Sequence, residues 1–153
     1  MPLMLIGRVF RDGPGWSAHC DAIGVYTQGA SRKEAIANLI EVVQLKVDRR
    51  DFAARVTDVG GESVYIDSTD VAPLAAEVLK YQRAIHGLSL ADVARKLGAA
   101  GRDTYAAYER GGREPTLSKY LQLLGAVAPE MGLMVGPTSA SSRPKRRPKT
   151  RRR

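Results

Sequence analysis

The segment "RDTYAAYERG", Arg102 to Gly111, sets arginines and acids beside two tyrosines and stops on a glycine. An arginine presents a planar fork of donors that fits O6 and N7 of guanine, and an aspartate can accept from a cytosine amine. A second set of residues raises a different chemistry. Asp12, Asp21, Glu34, Glu41 and Asp67 are the acids of the first half, and two-metal phosphodiester hydrolysis needs several carboxylates converging on ions about 4 Å apart. These five do not form such a set. Asp12 sits beside a turn, Glu34 belongs to a helix cap, and Glu41 lies off the apolar stripe of its helix. His19 and Cys20 alternate across a strand and point to opposite faces, a poor arrangement for a shared metal. The expectation is a protein without catalytic chemistry, metal or cofactor.

The elements that must position these residues follow two periods. "LMLIGRVF", "GWSAHCD" and "IGVYTQ" read as three short strands separated by glycine-containing breaks, which suits an antiparallel meander. The period then changes: Ile36, Leu39, Ile40, Val43 and Val47 recur at helical spacing. Ser31 with Glu34 three residues on makes an S-x-x-E capping box at the start of that helix. "DFAARVTDV" and "SVYID" alternate around "GGE" as a hairpin. From Thr69 only helical signals remain. Leu74, Val78, Leu79, Gln82 and Ile85 stripe one helix that ends at Gly87, and Ser89 caps a second, "LADVARKLG", with Gly98 at its end. The opening segment is a third, closed by Gly111 and Gly112. Pro115 and Thr116 start a fourth, striped by Leu117, Leu121 and Leu124. The order predicts an α+β chain: a βββαβ unit over 1–68, an all-α bundle over 69–130, and a disordered linker and basic tail over 131–153.

Charge is concentrated at one end. "RPKRRPKTRRR", residues 143–153, holds eight of the 24 Lys and Arg, so the other 16 balance the 16 acidic residues. The pI near 9.9 therefore comes from the tail and not from a face of the folded part. Eight charges all meeting phosphates would add about −7 to the logarithmic salt slope of DNA binding, an upper limit for a mobile segment. The single cysteine forms no internal disulfide. The chain has no apolar run of membrane-spanning length and no secretory leader pattern, so a cytoplasmic protein is expected.

A short helix, a tight turn and a second helix running into glycine let one helix cross the phosphates while the next enters the major groove. Here "LSLADVARKLG" followed by "YAAYERGGREP" resembles the Xre/Cro type of helix-turn-helix repressor domain over residues 73–127. The connection from Gly98 to Tyr105 is one residue longer than that family's usual pattern. Anchored on Glu109, Arg110 and Gly111, the resemblance makes Tyr105 a core residue. It points Arg102, Asp103 and Ala107 toward base edges, and sets Thr104, Tyr108, Arg110 and Arg113 at phosphates, where contacts position without specifying. Glu109 holds the helix end.

The first half carries a second resemblance. "GVYTQGASRKEAIANLIEVVQL", with its glycine-ended strand and capped "S-x-x-EA-x-x-N-L" helix, looks like HicB-type antitoxins. Those proteins carry a small degenerate ribonuclease-H-like domain, in some joined to a helix-turn-helix domain. The "HCDAIGVY" loop departs from the proline- and cysteine-bearing stretch of that family. The resemblance implies a HicA-like RNA-cleaving toxin as partner, neutralised by occlusion of its active site, with Trp16, Tyr26 and Gln28 as candidate contacts. It also implies operator DNA as second partner and repression of the chain's own operon. Two small domains and symmetric operators together call for at least a homodimer. The competing expectation is an Xre-family repressor with a sensory first half.

Overall fold

The computed structural model describes residues 3–98 and 102–134, without the Arg102 side chain. The expected tail, the "AAG" of the turn after Gly98 and the register of that turn lie outside the described residues.

The element order is β1 (Met4–Asp12), β2 (Gly15–Cys20), β3 (Val25–Gly29), α1 (Arg32–Val47), β4 (Ala54–Asp58), β5 (Ser63–Ser68), α2 (Val71–Ile85), α3 (Leu90–Lys96), α4 (Arg102–Glu109) and α5 (Leu117–Val127). The chain is thus α+β, an antiparallel sheet followed by helices. Strand order is β3-β2-β1-β5-β4, and every pairing is antiparallel. The expected meander forms one side of the sheet. Two strands, not one, follow α1, and the second of them lies against β1, leaving β4 at the edge.

Alternation sets what each face does. Leu5, Val9, Ala18, Cys20, Val25, Val64 and Ile66 turn inward and are buried, joined by Ala35, Leu39 and Val43 of α1. Ile36, Ile40 and Val47 pack at the margin of this core. Ser31 caps α1 as expected, accepting from the Glu34 amide at 3.1 Å, but the Glu34 carboxylate returns to the Ala30 amide at 2.8 Å, one residue before the cap. Gly29 makes the seat close: a Cβ there would lie 2.5 Å from the Ala35 nitrogen.

The edges of the sheet are guarded by side chains of α1. Asn38 donates to the Gln28 carbonyl at 2.8 Å on β3, and Gln44 accepts from the Ala54 amide at 3.2 Å on β4. Such contacts occupy backbone groups through which an open edge would otherwise recruit another strand. Arg32 forks onto Asp58 through two bonds of 2.8 Å. That guanidinium, helped by the Gly60 amide, lowers the Asp58 pKa from 3.8 to about 2. The folded value being the lower one, the bond stabilises the fold above about pH 4 and is lost as pH falls through 2. Because Asp58 is 41% exposed, the loss amounts to less than about 1 kcal/mol. Asp58→Asn is expected to flatten the stability curve between pH 4 and 2 in urea titrations; a variant curve parallel to the parent's would refute this linkage.

The two halves share one continuous core, which includes Leu39 and Val43 from the first and Leu74, Leu79, Tyr105 and Leu124 from the second. Polar ties reinforce it. Gln82 Nε2 donates to the Ala22 carbonyl at 3.0 Å. Lys46 stands 3.7 Å from buried Glu77 and 5.4 Å from the centre of the Tyr81 ring. Gly24, at φ +64°, leaves room for that ring, since a Cβ would lie 2.2 Å from it. Arg49 donates to the Arg110 carbonyl at the end of α4.

Candidate nucleic-acid interface

The helical half is built by caps and glycine stops. Ser89 and Asp92 form a reciprocal capping box on α3, with bonds of 3.0 Å and 2.8 Å. Thr116 caps α5, accepting from the Lys119 amide at 3.2 Å. Gly87, Gly98 and Gly111 take φ values of +65°, +63° and +64°, the left-handed conformation that ends a helix and is nearly free of strain only for glycine. Val93 and Ala94 of α3 are buried, and the small Ala94 suits the close packing of α3 on α4.

On α4, Tyr105 and Ala106 are buried and Glu109 nearly so. Burial, with the Glu109 carboxylate nearby, pushes the Tyr105 phenol well above its ordinary pKa, so it stays neutral. Asp103 and Thr104 are exposed and Ala107 half-buried. These three form the described outward surface of the helix. Tyr108 is half-buried and packs on the core, while Arg110 and Arg113 are exposed beyond the helix end. The structure therefore brings Asp103, Thr104 and Ala107 onto one face, with two arginines flanking it. The Arg102 side chain lies outside the described residues.

Arg83 was not among the sequence-derived candidates. Its Nε and Nη2 bind the two Glu109 oxygens at 2.6 and 3.0 Å, and its Nη1 donates to the Leu88 carbonyl at 2.8 Å. One guanidinium thus joins α2, the turn into α3 and the last residue of α4. The Glu109 carboxylate in turn raises the Arg83 pKa. This gives Glu109 its holding role. Because it is neutralised from inside, it does not face phosphate as a free charge.

The candidate contacts of the first half divide between two sides of the sheet. Tyr26 and Gln28 are exposed on the bare face, opposite α1, and bonded to each other at 2.9 Å. Ser17 bridges the Tyr26 hydroxyl at 2.9 Å and Asp12 at 2.8 Å. Trp16 lies on the α1 side, half-buried, with the Arg32 guanidinium 5.7 Å from its ring centre. The bare face also carries Ile6, exposed, with Phe10 and Tyr65 half-buried.

The acids of the first half are separately engaged. Asp12 accepts from Ser17, Asp21 lies 2.9 Å from His19, Glu34 belongs to the cap, and Asp67 accepts from Arg55 at 2.8 Å. Among the described residues no three His, Cys, Asp or Glu side chains group in a way that could hold a metal ion. Burial raises the Cys20 thiol to about 11, which leaves it protonated at neutral pH. Among the described residues no helix is long and apolar enough to cross a membrane.

Residues 79–126 match a helix-turn-helix family model of the Xre/Cro type. The span runs from the second half of α2 to the end of α5 and contains all of the face just described. It supports DNA-binding transcription regulation as the role of the helical half. No curated protein matches the chain.

Proposed function

We propose that the chain is a HicB-type antitoxin, whose helical half binds operator DNA through α4 while its sheet half covers a HicA-like toxin and so occludes the toxin's RNA-cleaving site. The observation that carries the DNA-binding part is the capped α3–α4 pair, with Asp103, Thr104 and Ala107 outward inside the matched span. The bare sheet face supports the partner part. It sets Ile6 and a hydrogen-bonded Tyr26 in water, and exposed, rigidly held aromatics are the residues that anchor interfaces. The separate engagement of the acids supports a noncatalytic first half, a degenerate form of a ribonuclease-H-like unit over 1–68 joined to the DNA-reading unit over 69–130.

In this reading Arg102 and Asp103 meet base edges and Ala107 contacts the groove, while Thr104, Tyr108, Arg110 and Arg113 lie at phosphates. Arg102→Ala should lose about 1–3 kcal/mol of base discrimination, or roughly tenfold or more between operator and mismatched duplex. Neutralisation of the toxin should survive, because the surfaces belong to different halves. Band-shift titration and growth rescue on co-expression with the neighbouring gene product measure the two. A folded variant that no longer rescues growth would refute this division of labour.

A second reading, a repressor with a sensory first half, draws on one feature. A cleft of about 710 Å³ opens where the end of α1 meets α2, α3 and α4, lined by Lys46, Arg49, Glu77, Lys80 and Arg110 among others. Copurification with the neighbouring gene product favours the antitoxin; a small-molecule shift in operator affinity without it favours the sensor.

A further inference from the structure

The α5 helix has an apolar side that the described chain leaves uncovered. Its Tyr120, Leu123, Leu124, Ala126 and Val127 turn into the core. Leu117 and Leu121, expected from their spacing to join that stripe, are instead 57% and 46% exposed. Exposed Gly125 continues their line, and positions i, i+4 and i+8 stack along one side of a helix. A Cβ at Gly125 would meet no described atom within 4 Å. A mid-helix glycine costs about 1 kcal/mol against alanine, and nothing within the described chain requires it. A second backbone approaching along the stripe would.

We propose that this stripe is where two copies of the chain meet, α5 against α5 across a two-fold axis centred near Leu121. The inference rests on the DNA-binding reading above, because symmetric operators take two copies. A two-fold contact sets each residue near its own equivalent, so charge along it would repel. The only charged residue of α5, Lys119, lies off the stripe and bonds Gln122 at 3.1 Å. A partner of different chemistry would find neither charge nor a polar anchor in this line, whereas an identical uncharged stripe complements it. Eleven residues of helix span only about 16 Å. One such crossing is smaller than the roughly 800 Å² per partner of a standard stable interface. The dimer is therefore weak in solution and completed on the duplex.

Leu121→Cys tests the contact directly, because buried Cys20 leaves the introduced thiol as the accessible one. In the full chain, mild oxidation is expected to give a covalent dimer whose yield rises with protein concentration and with added upstream DNA. Leu121→Glu is expected to weaken self-association about tenfold or more in sedimentation, with the unfolding midpoint unchanged. Either of two results would overturn the proposal: a parent that stays monomeric at about 100 μM and loads singly on DNA, or a dimer that survives Leu121→Glu and cross-links through Tyr26→Cys on the sheet face. A chain that dimerises through α5 yet ignores its upstream DNA would leave this contact standing and remove the DNA-binding reading; single-copy loading would do the reverse.

Discussion

Arg83→Met is expected to unfold the helical half or bring it close to unfolding. Removing one partner of a largely buried ion pair costs about 3–5 kcal/mol, because the other charge is left without compensation. Here the orphaned group would be Glu109, whose side chain is 9% exposed, at the very end of the DNA-facing helix. The Leu88 carbonyl would lose its donor as well. Domains of this size hold only a few kcal/mol in reserve, so urea unfolding should move to much lower midpoints and operator binding should vanish with it. The charge itself is the cause if the double variant, Arg83→Met with Glu109→Leu, recovers most of the loss, since replacing a buried pair by apolar groups is often neutral. A single variant within about 1 kcal/mol of the parent would mean that the pair contributes little and that Tyr105 and Leu79 alone hold α4 in place.

That pair also shows where sequence legibility stops. Helix starts were readable because the signals are local: Ser31 with Glu34, Ser89 and Thr116 each sit within three residues of the amide they cap. Helix ends were readable because Gly87, Gly98 and Gly111 adopt a conformation that other residues take only with strain. The Arg83 to Glu109 contact spans 26 positions and leaves no periodic trace. The same holds for Arg49 reaching the Arg110 carbonyl, and for the placing of β5 beside β1, which depends on how the hairpin folds back over the sheet. Apolar spacing erred in one direction. It marked Ile85, Leu117 and Leu121 as inward, but periodicity reports which residues share a side of a helix and not whether anything covers that side. Of the candidate site, Asp103, Thr104 and Ala107 were legible as one face once Tyr105 was read as core; the Arg83 clasp behind that face was not.

Removal of residues 143–153 is expected to produce the largest change in DNA affinity of any alteration away from α4. These eleven residues carry eight positive charges, and the rest of the chain is formally neutral. Neutralising a phosphate contributes about 0.9 to the slope of log affinity against log salt, so the full tail sets a limit of about 7. Partial engagement of even four charges would give a slope change of about 3 to 4, or roughly a hundredfold in affinity between 50 and 200 mM salt. The loss should be equal on operator and on unrelated duplex, because phosphates carry no sequence. Specificity, measured as the ratio of the two constants at fixed salt, should therefore stay constant while both constants fall. This separates the tail from Arg102, whose replacement should change the ratio and leave the slope within about one unit. A truncated chain with the parent's slope would show that the tail does not touch the duplex, and that the electrostatic attraction comes from Arg110, Arg113 and their neighbours beside α4.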